Sequence, residues 1–458
     1  MIFLSIYLDN SKIISNFAAS SKYTIFMNIK DYKPRICDME LQEQLEASGA
    51  VLIEGAKWCG KTYTARHAAQ SALFMQDRDN SKRYKQIAAT KPSLLLEGET
   101  PRLIDEWEEA PVLWDAVRFA VDMRGEVGQF ILTGSATPKD ESRISDMADE
   151  VRRMHTGVGR IAPLRMRTMS LWESGESNGK VSLQSLFDEQ PDIAAISDLT
   201  IEQLAYAICR GGWPASIKLK ERAALRMAKN YIEEVIRFDI HRVDGVEKNP
   251  LRVRKLLESY ARNISTMASN ETMMADVRAT DQTIAANTFA TYMTALRRIF
   301  IIDEVPAWSP ALRSKTTIRT SPKRHFADPS IATALMRTSP QGLLKDFNTF
   351  GLLFEDLCAR DLRVYAQALD GDVFHYHDKK ELECDLVIAL HDGRWAAVEV
   401  KLGMNEDDEA AKHLLKLSQD IDEQRMQKPS FLMILTGGQY AYRREDGVFV
   451  IPIGCLKN

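Results

Sequence analysis

One short segment, residues 55–62, constrains the fold of this chain more than any other part of its sequence. Its letters, GAKWCGKT, match the pattern GxxxxGK[ST] at every fixed position. An apolar run, Ala50–Glu54, precedes the segment, and a helical pattern follows it from Lys61. In this setting glycines allow backbone N–H groups to surround a phosphate at the start of a helix, where the helix dipole favours negative charge. The segment therefore predicts a strand, a phosphate-binding loop and a helix in succession.

The same loop carries the side chains that a nucleoside triphosphate needs. Lys61 is predicted to neutralise the β- and γ-phosphate oxygens of ATP, and the hydroxyl of Thr62 is predicted to ligate Mg²⁺. The predicted nucleotide-binding residues are Gly55, Ala56, Lys57, Trp58, Cys59, Gly60, Lys61, Thr62 and Tyr63.

Two later apolar runs end in residues suited to catalysis beside such a loop. A strand predicted at Arg102–Asp105 is followed directly by Glu106, which predicts that Asp105 holds Mg²⁺ and that Glu106 polarises the attacking water. Taken alone, an acidic loop after a strand is the plainer interpretation. Residues 129–133 predict a third strand, after which Thr133 or Ser135 reaches the γ-phosphate or serves only in the turn. Strands that alternate with helices predict a doubly wound α/β domain with a mainly parallel sheet.

Arg160 follows a glycine-rich turn and precedes a further predicted strand. Ring-forming ATPases project an arginine from this place into the site of a neighbouring subunit. Arg160 is therefore a candidate catalytic residue whose use would require a homo-oligomer. An exposed arginine in a turn is the alternative interpretation.

Length and composition exclude several classes of protein. The chain of 458 residues exceeds a single domain of about 100–200 residues, and its net charge of −4 excludes a uniformly basic nucleic-acid coat. Its six cysteines are far apart, which predicts reduced thiols rather than a zinc site. The sequence shows neither a signal peptide nor a run of about 18 apolar residues, so we expect a cytoplasmic protein with no membrane partner. Met1 and Met27 are alternative translation starts.

The middle of the chain has a helical pattern that is broken once. Between residues 200 and 239 the pattern stops at Gly211-Gly212-Trp213-Pro214, because two glycines and a proline do not continue a helix. This pattern predicts a small helical lid.

Three predicted helices and two strand-like runs then follow in the order of a winged helix. They are predicted at residues 251–265, 271–279, 282–298, 299–305 and 316–320. Between residues 251 and 326 there are twelve Lys or Arg residues against six acidic residues. This surplus predicts contact with DNA phosphates, although a winged helix also serves in protein contacts or braces a neighbouring domain.

Acidic residues near the C-terminus form the pattern D…ExK of metal-dependent nucleases. Asp385 opens an apolar strand, and the next strand carries Glu399 and Lys401, which are two residues apart and so share a face. A hairpin turning at Asp392-Gly393 would place Asp385 opposite Val400 within one residue of register. The three side chains are therefore predicted to converge.

This convergence predicts a second catalytic site. Asp385 and Glu399, with Glu355 on a preceding helix, are predicted ligands of Mg²⁺ or Mn²⁺. Lys401 would orient water or neutralise charge at a scissile phosphate. The alternative is two solvated acids at strand ends, one of them paired with Lys401. His375 and His377 share a strand face without a third ligand, so we expect them to be structural.

With these motifs the chain resembles a prokaryotic family of AAA-type P-loop ATPases that carry a C-terminal domain of unknown function. The markers of the resemblance are residues 55–62, 103–106, 132–135, 159–160, 211–214 and 323–329, and the acidic pattern near the C-terminus. Lys57 stands where many relatives have arginine, which preserves the charge. The resemblance implies an α/β AAA-type core with a helical lid, a winged-helix domain and a restriction-endonuclease-like α/β domain.

The predicted domains follow from this comparison and from the element pattern. They are an N-terminal extension (1–31), the AAA-type ATPase core (32–195), the helical lid (196–245), the winged-helix domain (246–340) and the restriction-endonuclease-like domain (341–458). The leading hypothesis is Mg²⁺-dependent ATP binding and hydrolysis coupled to DNA binding or processing. The alternative is a nucleotide-gated regulatory or scaffold protein whose nuclease-like domain binds without cleaving.

Overall fold

The computed structural model describes residues 32–135, 159–189, 191–242, 248–279, 284–309, 321–378, 382–403, 406–420 and 426–458. The predicted extension 1–31, with both candidate start residues, lies outside the described residues. The strand-like run predicted at 316–320 also lies outside them.

Five parallel strands form the first sheet. Their bounds are β1 Ala50–Glu54, β2 Ser71–Phe74, β3 Arg102–Asp105, β4 Phe130–Gly134 and β5 Ile161–Arg165. Their order is β2-β3-β4-β1-β5. Thr133 of β4 pairs with Ile53 on one side and with Asp105 on the other. The carboxyl ends of β1, β3 and β4 therefore meet at one edge of the sheet, which is where ligands bind in parallel sheets.

The predicted strands agree closely with this sheet. β1 and β3 have the predicted bounds, and β4 is displaced by one residue from the predicted range 129–133. The apolar pattern does not predict β2, because only one of its four residues is buried.

Alternate residues of β4 enter two different cores. Phe130 and Leu132 pack on one face with helix Val112–Arg124, and Ile131 packs on the other face with helix Cys37–Ala47. All three side chains are buried. Burial on both faces is what a doubly wound α/β layer requires. The helices of this layer are Cys37–Ala47, Lys61–Ala68, Ser81–Thr90 and Val112–Arg124, with 3₁₀ turns at Pro92–Leu96 and Trp107–Glu109.

A mixed sheet of seven strands forms the second layer. Its strands are β7 Ala194–Ile196, β8 Gly371–His377, β9 Glu383–Leu390, β10 Trp395–Lys401, β11 Phe431–Thr436, β12 Tyr440–Arg443 and β13 Phe449–Pro452. Their order is β7-β12-β13-β11-β10-β9-β8. Helix Phe347–Gln367 packs with Leu386 and Ile388 on one face, and helix Asp407–Asp420 packs with Val387 on the other.

A segment of the predicted ATPase core joins this second layer. β7 pairs with β12, and the short strand β6, Val181–Ser182, pairs with β14, Leu456–Lys457. The predicted domain boundary at residue 195 therefore falls inside β7. The sequence does not indicate this pairing, because β7 is three residues long and two of them, Ala194 and Ile196, are exposed.

Most of the chain between β5 and β8 is helical. Besides helix Phe347–Gln367, its helices are Leu171–Ser174, Leu183–Asp188, Ile201–Arg210, Pro214–Ile217, Glu221–Glu234, Ile240–Arg242, Pro250–Arg262, Asn270–Arg278, Ala286–Arg298, Pro329–Met336 and Pro340–Leu343, with a π-helical turn at Val235–Asp239. The predicted break occurs at Gly211, which has a φ of 76°. A Cβ on Gly212 would lie 2.1 Å from the carbonyl oxygen of Met169. Among the helices that the structure describes, none is long and apolar enough to cross a bilayer.

The run predicted as a strand at 299–305 forms only isolated bridges. Ile302 pairs with Phe326 and Val305 pairs with Lys323, both antiparallel. Phe300 has a left-handed backbone with a φ of 58°, which interrupts the extended conformation. Helices followed by this short antiparallel pairing keep the predicted order of elements, and the assignment as a winged helix stays a prediction.

Candidate nucleotide site and carboxylate cluster

The phosphate loop has the backbone that its glycines permit. Gly55 and Gly60 have φ values of 155° and 114°. A Cβ on Gly55 would lie 2.0 Å from the carbonyl oxygen of Met166, so a larger residue does not fit there. Trp58 also has a positive φ, 68°, and its side chain is partly exposed. The loop is tightly curved and leads directly into helix Lys61–Ala68.

Lys61 points back into the curve of this loop. Its ammonium donates to the carbonyl oxygens of Gly55 at 2.9 Å and Ala56 at 3.0 Å. The residue is 5% exposed. A buried ammonium beside the start of a helix favours the binding of a polyphosphate, because both the charge and the helix dipole are positive there.

Three side chains from separate elements meet beside the loop. The hydroxyls of Thr62 and Thr133 both donate to Asp105 Oδ1, at 2.8 Å and 2.7 Å. Burial raises the pKa of Asp105, although the two hydroxyl donors lower it. Hydroxyl and carboxylate oxygens are hard ligands of the kind that Mg²⁺ prefers. Thr62 and Asp105 therefore fit a magnesium ion, and Thr133 holds Asp105 in place.

Glu106 lies directly after Asp105 in a left-handed backbone conformation, with a φ of 55°. Its N–H donates to the Thr133 hydroxyl at 3.1 Å, and the Ser135 hydroxyl donates to Glu106 Oε1 at 3.1 Å. Burial raises the pKa of Glu106, and the charge of Lys61 lowers it. A left-handed non-glycine residue is typical of functional sites. The structure thus brings together Glu106 and Ser135, two of the predicted catalytic residues.

An open cleft with a volume of about 500 Å³ lies beside these residues. This volume is within the range of about 300–1,000 Å³ that ligand sites usually have. Glu106 and Ser135 line the cleft together with Glu108, whose Oε1 accepts the Ser135 N–H at 2.8 Å. Glu108 is a site residue that the sequence reasoning missed, although the acidic run after Asp105 could have indicated it.

Lys57 crosses the cleft to the helices within residues 196–245, which the sequence predicts as a lid and which are named the lid from here on. Its ammonium donates to Glu234 Oε1 at 2.5 Å and to Asp239 Oδ1 at 3.2 Å. Burial lowers the pKa of Lys57, but Glu234 and Asp239 raise it by more than burial lowers it, so the pKa of Lys57 lies above the usual value. Glu234 ends a helix and Asp239 ends the π-helical turn that follows, a kind of turn that is frequent at functional sites. A residue of the phosphate loop therefore holds the lid through two ion pairs.

The other predicted loop residues differ in exposure. Cys59 is buried, with Sγ 3.6 Å from the Met166 carbonyl oxygen, and Ala56 is buried in the hydrophobic core. Tyr63 is 52% exposed on the first turn of the helix.

Arg35 braces the loop from behind and was not predicted. Its guanidinium donates to the carbonyl oxygens of Cys59 and Arg167, both at 2.9 Å, and pairs with Glu173 at 2.9 Å. Arg35 lies 24 residues before Cys59, and no local pattern links the two positions.

The C-terminal hairpin has nearly the predicted register. The register of β9 and β10 ends at the pair Leu386–Val398, and its continuation by one residue would place Asp385 opposite Glu399, one residue from the predicted partner Val400. The N–H of Val400 donates to Asp385 Oδ2 at 2.9 Å.

The acidic side chains of this hairpin form a carboxylate cluster with Glu355, and the cluster contains a lysine that the sequence did not place there. Lys323 Nζ donates to Glu355 Oε1 at 2.6 Å and to Asp385 Oδ1 at 3.1 Å. Lys401 Nζ lies 3.3 Å from Glu399 Oε2. The predicted residues thus come together, but each carboxylate is engaged by an ammonium or a backbone N–H.

Burial and charge act in opposite directions in this cluster. Burial raises the pKa of Glu355 to about 7, and burial together with the charge of Asp385 raises the pKa of Glu399 to about 8. Burial also raises the pKa of Asp385, but Lys323 and Lys401 hold it below the usual value.

The cluster does not fit the predicted Mg²⁺ or Mn²⁺ site as it is arranged. Within the described ranges, no three His, Cys, Asp or Glu side chains form a group that could hold a metal ion. The physical reason is that Glu355 and Asp385 turn toward Lys323, while Glu399 turns toward Lys401. His375 lies 3.1 Å from the Ser321 carbonyl oxygen.

Comparison with known families identifies one part of the chain. Residues 47–174 match the model of a family described as an AAA domain. This segment is similar to an AAA domain and is named the AAA domain from here on. Residues 201–342 and 350–456 match two domains of unknown function, DUF8612 and DUF4143. These matches attach no function to the second half of the chain, so the winged-helix and restriction-endonuclease-like assignments stay predictions.

One solved structure is similar over much of the chain. It is a Walker-type ATPase of Pyrococcus abyssi with 14% sequence identity, and the similarity covers 65% of this chain and 94% of that chain at a TM-score of 0.38. None of the curated proteins matches the sequence.

Arg160 of the AAA domain lies far from the predicted catalytic edge of its own sheet. Its carbonyl oxygen accepts the N–H of Ala50 at 2.9 Å, at the amino ends of the parallel strands. Its Nε lies 2.6 Å from Asp122 Oδ1, and both side chains are well exposed. Because Asp105 lies at the opposite, carboxyl end of the sheet, any role of Arg160 in hydrolysis would concern another subunit.

The basic residues of the middle region are largely engaged within the protein. Six of the twelve counted between residues 251 and 326 pair with acidic side chains: Arg254, Lys255, Arg262, Arg297, Lys323 and Arg324. Three more, Arg313, Lys315 and Arg319, lie outside the described residues. Arg254 and Lys323 pair with acids outside residues 251–326, so part of the predicted basic surplus is neutralised by other parts of the protein.

Two of the marker segments meet at one buried junction. Asp328 Oδ2 accepts the Gly212 N–H at 2.9 Å and the Thr168 hydroxyl at 2.8 Å, and it lies 3.1 Å from Arg360 Nη1. Asp328 is 0% exposed. Arg360 belongs to helix Phe347–Gln367, which also carries Glu355. The junction therefore joins the AAA domain, the lid and the helix beneath the carboxylate cluster.

Proposed function

We propose that this chain binds ATP together with Mg²⁺ and hydrolyses ATP in the cleft between the AAA domain and the lid. One observation carries the proposal. Lys61 and Thr62, at the start of the helix that follows the loop, and Asp105, at the end of β3, converge at the carboxyl edge of the parallel sheet with the hydrogen bonds described above. This is the set of groups that a nucleoside triphosphate and its metal ion need.

Each residue has a role that follows from its contacts. Lys61 would hold phosphate oxygens, and Thr62 and Asp105 would hold Mg²⁺, which supplies positive charge to the polyphosphate. Glu106, held by the Ser135 hydroxyl, would accept the proton of the attacking water. A carboxyl group whose pKa is raised by burial is a stronger base toward water than an exposed one.

We further propose that the nucleotide gates the lid through Lys57. In the structure, Lys57 pairs with Glu234 and Asp239. A triphosphate in the loop would compete with these two acids for the same ammonium. Release of the acids would loosen one contact between the AAA domain and the lid.

The first test is ATP turnover with Mg²⁺ by wild type, Lys61→Ala and a matched lysine control. Lys91→Ala is a suitable control, because Lys91 is exposed and lies outside the cleft. Turnover that is lost in Lys61→Ala and kept in the control would support the proposal. Equal turnover in all three proteins would refute it.

DNA binding or processing is a second candidate function. It is supported by the convergence of Asp385, Glu399 and Lys401 on adjacent strands in the predicted D…ExK arrangement. The test is cleavage of supercoiled plasmid and of single-stranded DNA with Mg²⁺ or Mn²⁺, with and without ATP, by wild type and by Lys401→Ala. Nicking that is lost in the variant would support a nuclease. The absence of cleavage would leave the nucleotide-gated regulator as the better proposal.

A further inference from the structure

The carboxylate cluster contains the ammonium of Lys323, and backbone hydrogen bonds fix the main chain of this residue. The N–H of Lys323 donates to the Val305 carbonyl oxygen at 2.9 Å, and its carbonyl oxygen accepts the Val305 N–H at 3.1 Å. The next residue, Arg324, donates its N–H to the Thr266 carbonyl oxygen at 2.8 Å. Lys323 itself is 8% exposed. Its ammonium is therefore positioned by fixed backbone on both sides, not by a free surface chain.

The ammonium of Lys323 lies between the two carboxylates best placed to share an ion. Glu355 on a helix and Asp385 on β9 both approach Nζ, at 2.6 Å and 3.1 Å. The second oxygen of Asp385 accepts the Val400 N–H. The remaining carboxylate of the cluster, Glu399, pairs with Lys401.

From this geometry we propose that Lys323 is a tethered cation that occupies the place of a divalent metal ion, so that the cluster in this arrangement excludes Mg²⁺ and Mn²⁺. Removal of the Lys323 ammonium would free the oxygens of Glu355 and Asp385 that it now contacts for a divalent ion. Beside Lys323, a divalent ion would instead face a like charge at contact distance, which a partly buried site screens poorly.

The position of Lys323 also connects the cluster to the rest of the molecule. Lys323 and the junction residue Asp328 lie in one short segment, and Glu355 and Arg360 lie on one helix. Both sides of the Lys323–Glu355 contact are therefore attached to the junction with the AAA domain and the lid. A shift at that junction would act directly on the ion pair.

The test measures Mn²⁺ binding to the full chain by isothermal titration calorimetry without nucleotide, so that its outcome is independent of ATP hydrolysis. Binding that depends on Asp385 reports on the cluster. Lys323→Met is shorter than lysine by only the terminal ammonium and removes the charge, and Lys412→Met, at an exposed helix position, is the matched control. We expect Lys323→Met to bind Mn²⁺ at least about tenfold more tightly than wild type. Addition of Asp385→Asn should abolish this gain.

Thermal unfolding gives a second readout. Mn²⁺ should raise the melting temperature of Lys323→Met and leave wild type, Lys412→Met and the Asp385→Asn double variant unchanged, because binding to the folded state alone stabilises it. A folded Lys323→Met protein without gained binding would overturn the proposal.

If Lys323→Met does not fold, a comparison of wild type with Asp385→Asn tests the proposal. Wild type and Asp385→Asn should then bind Mn²⁺ equally, because Lys323 excludes the ion from the cluster. Tighter binding by wild type than by Asp385→Asn would show that the ion enters beside Lys323, and would refute the proposal.

Discussion

Removal of the two lid acids should tighten the binding of ATP. Glu234 and Asp239 pair with Lys57 at 2.5 Å and 3.2 Å. If Lys57 turns to the triphosphate, these pairs are lost on binding and their free energy opposes it. The double substitution Glu234→Gln and Asp239→Asn removes this opposition and leaves the phosphate loop intact.

The size of the effect follows from the exposure of the pairs. The side chains of Lys57, Glu234 and Asp239 are 31%, 35% and 15% exposed, so water screens both pairs in part. A partly exposed ion pair contributes about 0.2–1 kcal/mol, and the two together about 0.5–2 kcal/mol. This corresponds to a Kd for ATP that is about 2- to 30-fold lower.

Calorimetric titration with a non-hydrolysable ATP analogue and Mg²⁺ measures this change. Glu233→Gln is the matched control, because Glu233 is the preceding residue and pairs with Arg254 at 2.6 Å instead of with Lys57. A gain caused by the Lys57 pairs should vanish in a Lys57→Ala background, as a double-mutant cycle requires. Unchanged or weaker binding would refute the reasoning. A gain in ATP affinity that persists in the Lys57→Ala background would show that the two acids oppose ATP by general charge repulsion and not through Lys57.

Three further predictions concern catalysis and stability. Glu106→Gln should retain nucleotide affinity and lower turnover by about 10²–10⁴-fold. Because burial raises the pKa of Glu106, wild-type turnover should be lost on acidification at a pH above the pKa of about 4.3 of an exposed glutamate. Equal pH–rate profiles for wild type and Glu106→Gln would contradict this role. Arg160→Ala should lower turnover by about 10³-fold or more if it acts between subunits; mixing with Lys61→Ala subunits should restore activity, and a failure to restore it would argue against that role. Asp328→Ala should cost about 3–5 kcal/mol of the free energy of unfolding, because it leaves buried donors and Arg360 without their partner; urea unfolding of this variant and of Asp420→Ala, at an exposed position, measures the cost, and a loss below about 1 kcal/mol would show that the junction reorganises.

Local sequence determined the phosphate site almost completely. The elements around the loop, β1 and helix Lys61–Ala68, begin where the motif requires. A tight loop depends on glycine backbone freedom at Gly55 and Gly60, which neighbouring residues alone specify. The register of β9 and β10 was also predictable to one residue, because a short turn at Asp392-Gly393 links the two strands directly.

Tertiary structure alone decided what the sequence left open about the carboxylate cluster. Lys323 lies 62 residues before Asp385 and was counted among the basic residues of a predicted DNA-binding surface, yet it is buried among acids. β6 and β7 were likewise decided by the tertiary structure. They are too short to show a periodic pattern, and they form strands because the C-terminal strands β14 and β12 supply their hydrogen-bond partners. Side chains that pair across such separations are brought together by the path of the whole chain, and residue type alone does not reveal whether a charge faces solvent or a buried partner. The sequence therefore predicted which residues could bind phosphate and metal, and the tertiary structure placed Lys323 between Glu355 and Asp385, two of the predicted metal ligands.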